Sequence, residues 1–287
     1  MSQRNSLYTL ILVLLITPSL FGQNESMTLV VMDPLCDRLA CDCVEGYAQR
    51  KYEVLAEHLQ KRTGKKVDVF WGESLEAALE EIDKTADIIV GKHSVVKHNA
   101  RAASLNIRPV AALTGKDGST MQTGLIVVRR DDPAVTVADL TGYRIFFGPE
   151  ECDEKSAAPM ALLREHGVPV PGQREVFGAC SQAATQLVEL EPSVKAAAVI
   201  SSYAEPLLEG CGAIEKGDLR VIGTSEEVPF VTAFVRQDLP ESLQKAIAKS
   251  LLEVGDHGEV VKALETQLGF VPCPRQDASA ALTIKKK

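Results

Sequence analysis

The chain has 287 residues, with 31 Lys and Arg against 39 Asp and Glu and a formal net charge of −8. Such an acidic chain is a poor partner for nucleic acid or for anionic membrane surfaces. Its length suffices for one large domain or two lobes of ordinary size, and scarce aromatics beside abundant Ala, Val and Leu suit an α/β protein.

The first 22 residues read as an export address rather than as part of the fold. Arg4 gives a positive start, residues 7–16 form an apolar run, and Pro18 and Ser19 break it before a cleavage near Gly22. The run is shorter than the ~20 apolar residues that span a bilayer. An uncleaved anchor is the alternative, because no A-x-A pattern marks the cleavage site. Removal of residues 1–22 leaves 30 basic and 39 acidic residues, a balance of −9. All seven cysteines survive it (Cys36, Cys41, Cys43, Cys152, Cys180, Cys211 and Cys273), in a compartment where disulfides persist.

Short Val- and Ile-rich runs then alternate with segments of helical period, the pattern of βαβ units. Strands are expected at 28–32, 67–70, 87–90 and 108–113, and helices at 47–62, 75–82 and 94–103, with Gly64 ending the first helix and Ser74 capping the second. At 123–129 the chain crosses over and a second series begins, with strands at 143–147, 175–177 and 197–200 and helices from Ser156, Ser181 and Tyr203. An extended segment at 230–236 and closing helices at 240–254 and 258–268 follow. The tail Lys285–Lys287 reads as solvated.

Residues 147–163, "FGPEECDEKSAAPMALL", place Glu150, Glu151, Cys152, Asp153 and Glu154 at a helix start. Free N–H groups there favour an anion. The acids could complement the dipole as a solvated helix start, or serve as a general acid/base pair. No G-x-S-x-G, H-E-x-x-H or G-x-x-x-x-G-K-[ST] occurs, so no catalytic residue, metal or cofactor is expected. The spacing of Cys36, Cys41 and Cys43 is not that of a structural zinc site; disulfide pairing or a soft-metal role remains for them. His58 and His166 fall within helices and read as solvated.

The order of these elements, and the phrases at 52–74, 86–95, 123–148 and 179–204, resemble the type 2 periplasmic solute-binding proteins, specifically the phosphate/phosphite/phosphonate-binding group of ABC importers. The resemblance covers most of residues 27–270. It implies a two-lobed type 2 periplasmic-binding-protein fold of class α/β, each lobe a mainly parallel sheet flanked by helices. Lobe 1 would be 23–122, completed by 231–287, and lobe 2 would be 123–230. It implies a periplasmic monomer that closes on a small oxyanion, phosphate- or phosphonate-like, or a related small ligand, and delivers it to a permease in the inner membrane.

In the family a tetrahedral anion is held by N–H groups and hydroxyls at helix N-termini. Here the Ser-Thr-Ser-Gly type loop is "PEECDEKSA", leaving Ser156, and the His-Glu at the next helix start is replaced by Ser181 and Gln182. Leu75 and Val90 replace the aromatics that would wall an organic phosphonate, and without that Glu 2-aminoethylphosphonate has no counter-charge. The candidate ligand-binding residues are Ser74, Lys92, His93, Ser94, Gln122, Thr123, Ser156, Ser181, Gln182, Ser201, Ser202 and Tyr203, all beyond strand ends where open α/β sheets bind ligands. Each hydroxyl serves equally as an ordinary N-cap, and the basic pair Lys92-His93 sits on an expected loop with no core role. Because the resembled fold makes the strands ending at Phe147 and Phe177 neighbours, a Cys152–Cys180 disulfide is expected. Two rival functions are an accessory or sensory binding subunit and a cysteine-centred metal or redox protein.

Overall fold

The structure, a computed structural model, describes residues 26–39, 49–82 and 85–273. The expected signal peptide, Cys41, Cys43 and the basic tail lie outside the described residues.

The first lobe opens with β1 (Ser26–Met32), α1 (Tyr52–Thr63), β2 (Lys66–Trp71), α2 (Leu75–Glu81), β3 (Ile88–Lys92), α3 (His93–Ala102) and β4 (Ile107–Leu113). A short β5 (Met121–Gln122) leads into β6 (Gly124–Arg129), β7 (Arg144–Phe147), α4 (Ala157–Glu165), β8 (Glu175–Val176), α5 (Cys180–Glu189), β9 (Ala196–Ser201), α6 (Glu205–Gly210) and β10 (Leu219–Thr224). The chain returns through β11 (Val228–Pro229) into β12 (Val231–Arg236), α7 (Glu241–Leu252), α8 (Gly258–Ala263) and β13 (Phe270–Val271).

Two sheets result, in the orders β13-β4-β12-β3-β1-β2 and β10-β6-β9-β7-β8, with a two-stranded β11-β5 ribbon at the crossings. The α/β two-lobed architecture is therefore present, with more mixed pairing than a mainly parallel sheet. β1 pairs in parallel with β2 and β3, and β7 with β8 and β9. The strands that enter from the other lobe, β6 and β12, run antiparallel to their neighbours.

Each sheet is apolar on both faces, since helices cover both. Val31 and Val90 pack under α1 with Tyr52, Leu55 and Leu59, while Val30 and Ile89 pack with Leu75 and Val96 on the other side. α1 stops at Gly64, whose φ of 70° puts it in the left-handed region, a conformation glycine adopts without the penalty of a Cβ. His58, expected as solvated, is buried beneath α7, where its Nε2 lies 2.8 Å from the Ser250 carbonyl. The helical stripe of α1 packs there against a segment 192 residues away. Among the described residues, no helix is long and apolar enough to cross a membrane.

Candidate functional site

The floor between the lobes is built from the ends of β3 and β9 and from the turn after β7. Gly91 lets β3 press against β1: a Cβ there would meet the Met32 backbone and side chain. Lys92 is therefore the last residue of a strand buried along its whole length, and α3 begins at once with His93. The expected loop at Lys92-His93 does not exist. His93 is buried, with Nδ1 3.1 Å from Thr232 Oγ1 and its ring against Phe234.

Lys92 points across the cleft instead. Its ammonium donates to the carboxylate of Glu154 and lies 3.7 Å from Cys152 Sγ. Glu154 is completely buried and its Oε1 also accepts the Ser201 hydroxyl at 2.8 Å. The reading of residues 150–154 as a solvated helix start is thus corrected at its centre. A short turn at Asp153–Lys155 precedes α4 and carries Glu154 inward. It is held by Gly124, where a Cβ would run into the Glu154 carbonyl, and by Gly148, over which the Lys155 stem lies. Lys155 Nζ donates to the Gly178 carbonyl at 2.8 Å, and the Asp153 N–H donates to Ser94 Oγ at 3.2 Å, a second contact between the lobes.

Burial pushes the Glu154 carboxyl up, but the Lys92 charge and the hydrogen bonds from Lys92 and Ser201 outweigh it and hold the group below the usual carboxylate range. Burial likewise disfavours the Lys92 ammonium, and the Tyr203 oxygen, Glu154 and Cys152 reverse that, holding it above its ordinary value. Both groups are charged at neutral pH.

Above this floor lies a cavity of about 590 Å³, the size of a small-molecule site. Met32, Leu35, Leu39 and Val95 wall it from the first lobe, and Cys152, Cys180, Ser181, Gln182, Tyr203 and Leu207 from the second. Of the expected ligand contacts, it brings together Lys92, Ser181, Gln182 and Tyr203. The others do not line it. Ser74 caps α2, accepting the Ala77 N–H at 3.3 Å, and Ser94 and Ser201 hold the turn that carries Glu154. Thr123 and Ser202 bond one another through Thr123 N–H to Ser202 Oγ and Ser202 N–H to the Thr123 carbonyl. Gln122 is buried in β5 opposite Val228, and Ser156 is buried against Arg174.

The expected Cys152–Cys180 disulfide is not formed. Both are free, as is the buried Cys36. Cys180 faces Ser201, 3.7 Å from its hydroxyl, whereas Cys152 faces Lys92. Burial pushes the Cys36 thiol up to about 12. No group of three His, Cys, Asp or Glu side chains among the described residues could hold a metal ion. Sequence reasoning missed Glu154 and the apolar wall. The only sequence trace of Glu154 is a carboxylate set among glycines that require close backbone approach.

A two-lobed α/β fold with a cavity lined from both lobes is the form of a solute-binding protein. The family model described as ABC transporter, phosphonate, periplasmic substrate-binding protein matches residues 46–278, and the chain belongs to that family. The family implies a small-molecule ligand and a membrane permease partner. No curated protein matches the chain. Among solved structures, XAC2383 from Xanthomonas citri bound to ATP is similar, with a TM-score of 0.65 at 15% identity over 88% of this chain and 92% of that one. A binding protein component of an ABC phosphonate transporter from Pseudomonas aeruginosa (PA3383) aligns with a TM-score of 0.63 at 14% identity, over 86% and 81% of the two chains. PhnD1 from Prochlorococcus marinus in complex with methylphosphonate gives 0.62 at 14% identity, over 88% and 94%. At these identities the structures establish the fold.

Proposed function

We propose that this chain is the exported, monomeric solute-binding component of an ABC importer, that it receives a small ligand in the cavity between its lobes, and that it does no chemistry. Residues 1–22 act as the export signal, lobe 1 comprises 23–122 and 231–287, and lobe 2 comprises 123–230. The observation that carries this reading is the 590 Å³ cavity, walled by side chains of both lobes and floored by Lys92. Lobes joined by crossing strands can close on such a space by hinge motion. The similar Xanthomonas protein binds ATP and the Prochlorococcus one methylphosphonate, so this fold accommodates ligands of very different size.

A thermal-shift screen of phosphate, phosphite, sulfate, phosphonates, amines, amino acids and nucleotides tests it. A ligand at a hundred times its Kd adds ~2.7 kcal/mol of stability. Leu207→Trp, which narrows the cavity from the second-lobe wall, should weaken the shift while leaving the unliganded protein folded. A shift left unchanged by the substitution would place the ligand elsewhere.

A further inference from the structure

We infer that this cleft selects a phosphonate whose organic group is apolar, an alkyl or aryl chain, with its head seated at the start of α5 beside Lys92 and Lys155 and its chain laid on the wall of the first lobe. The inference deepens the reading above and rests on the cavity's being the ligand site.

The seat follows from charge. Lys92 and Lys155 both line the cavity and are only 6% and 5% exposed, so solvent screens neither of them well. One buried carboxylate, Glu154, stands behind them: Lys92 donates to it directly, and the Lys155 charge acts on it too. Asp153, on the same turn, is half-buried and has Lys97 of α3 within reach as well. Two buried ammoniums facing one buried carboxylate leave a positive charge that an anion would balance. An ammonium has three N–H groups. Among the described residues Lys155 gives one to the Gly178 carbonyl, and Lys92 gives one to Glu154 and a weak second to the Cys152 sulfur. Each keeps a free donor.

Further donors converge from α5. Its N-cap is Ala179, which has no side-chain oxygen for the first-turn N–H groups, and Ser181 and Gln182 of that turn line the cavity. The Ser181 hydroxyl has no hydrogen-bond partner among the described residues, and the Gln182 side chain engages only its oxygen, which accepts the Ala179 N–H. An uncapped helix start favours negative charge. Glu73 and Glu151 also line the cavity, but Glu73 is exposed and Glu151 half-buried, so water and salt screen them.

The chain of the ligand follows from the opposite wall. Apart from Lys92 and the exposed Glu73, the first lobe lines the cavity with Met32, Pro34, Leu35, Leu39 and Val95, and Leu207 faces them from the second lobe. Methylphosphonate has one carbon to set against this surface and would leave most of the 590 Å³ to water. A six-carbon chain or ring covers it. An ammonium on that chain would meet no buried carboxylate on the first-lobe wall and would lose its hydration there.

The test measures thermal shifts and calorimetric affinities of the mature chain with inorganic phosphate, with methyl-, butyl-, hexyl-, phenyl- and 2-aminoethylphosphonate, and with hexyl phosphate. Hexyl- and phenylphosphonate are expected to bind at least about tenfold more tightly than methylphosphonate, with about a fourfold gain for each methylene that the wall covers, while 2-aminoethylphosphonate gains nothing. Val95→Asn should erase most of the preference for hexyl over methyl, and Ser181→Ala should weaken both phosphonates by the same factor, about tenfold. Equal affinities for hexyl- and methylphosphonate, or a hexyl preference unmoved by Val95→Asn, overturn the inference while the cavity stands as a ligand site. Hexyl phosphate outbinding hexylphosphonate overturns it too, by assigning the seat to phosphate monoesters. A shift with nucleotides or amino acids and none with any phosphonate has the same effect, and silence toward every probe overturns the cavity reading as well. If Val95→Asn does not fold, the wild-type chain-length series and Ser181→Ala still decide.

Discussion

The ring of Tyr203 stacks on that of Phe230 with centroids 5.0 Å apart and planes 17° from parallel. Tyr203 follows β9 in the second lobe and packs against the cores of both lobes. Phe230 stands at the return crossing, where its carbonyl accepts the His93 N–H and its own N–H donates to the Thr120 carbonyl. The stack is thus a plate set where the lobes meet, beside the cavity. Tyr203→Leu and Phe230→Leu should be non-additive in urea denaturation, with a coupling energy of ~0.5–1.5 kcal/mol for the aromatic pair. Additive losses would show that the two rings act independently.

The Lys92–Glu154 pair predicts an asymmetry between single and double substitutions. Removing one partner leaves a buried charge uncompensated, which costs ~3–5 kcal/mol, whereas replacing both by apolar groups of similar volume is close to neutral. Glu154→Gln should therefore lower stability strongly, and Lys92→Met combined with Glu154→Leu should recover most of it. The pH dependence has a definite sign. The Glu154 group lies below its ordinary value of 4.5 in the folded protein, so its contribution is complete above that value and is lost as pH falls through the folded one. The Lys92 group is held above its ordinary 10.5, so its share is complete below that value and is lost at still higher pH. Glu154→Gln should differ most from wild type at neutral pH and progressively less in acid.

Much of the fold was legible because it is written locally. The alternation of Val-Ile runs with helical stripes, Ser74 before α2 and Gly64 after α1 each report a nearest-neighbour preference, and each falls where expected. The site was not local in that way. Glu154 meets a partner 62 residues earlier in the chain and another 47 residues later, and a carboxylate that finds such partners is indistinguishable in sequence from one that faces water. Lys92 and His93 misled for a related reason: β3 is a central strand, buried on both faces, and α3 follows it without a connecting loop. Ser94 and Ser202 do lie beyond strand ends, as expected, but the opposing lobe and the crossing strand claim their hydroxyls.

His93 predicts an acid sensitivity of its own. Burial, and to a lesser degree the charge of Lys97, pushes its imidazole down to about 4 from an ordinary 6.5, and its Nε2 has no hydrogen-bond partner among the described residues. The unfolded chain binds a proton between those two values while the folded protein does not, so stability falls as pH drops from 6.5 toward 4. The shift corresponds to ~3 kcal/mol at one pKa unit per 1.36 kcal/mol. His93→Gln should lose less stability than wild type between pH 7 and pH 4.5 in urea titrations, even if it is the less stable protein at pH 7. Parallel curves for the two proteins would show that His93 protonates freely.

The cysteines give the last prediction. Cys152 and Cys180 each flank the Lys92–Glu154–Ser201 cluster from a different side, one against the ammonium and the other against the hydroxyl. The link between the turn after β7 and the start of α5 is made instead by Lys155 and the Gly178 carbonyl. Alkylation of the unfolded, unreduced protein should therefore label both, with no peptide linking 152 to 180. In the native protein the order of labelling follows thiolate availability and access. Cys180 is half-buried on the cavity wall. Cys152 is buried, and its burial and neighbouring acids raise its thiol above the ordinary value despite Lys92. Cys36 is wholly buried, with its thiol pushed to about 12. Iodoacetamide should thus modify Cys180 first, Cys152 later and Cys36 only on unfolding, as followed by peptide mass mapping over time. A ligand bound in the cavity should slow Cys180 without affecting Cys36, whereas equal slowing of both would mean that the ligand acts by stabilising the whole protein.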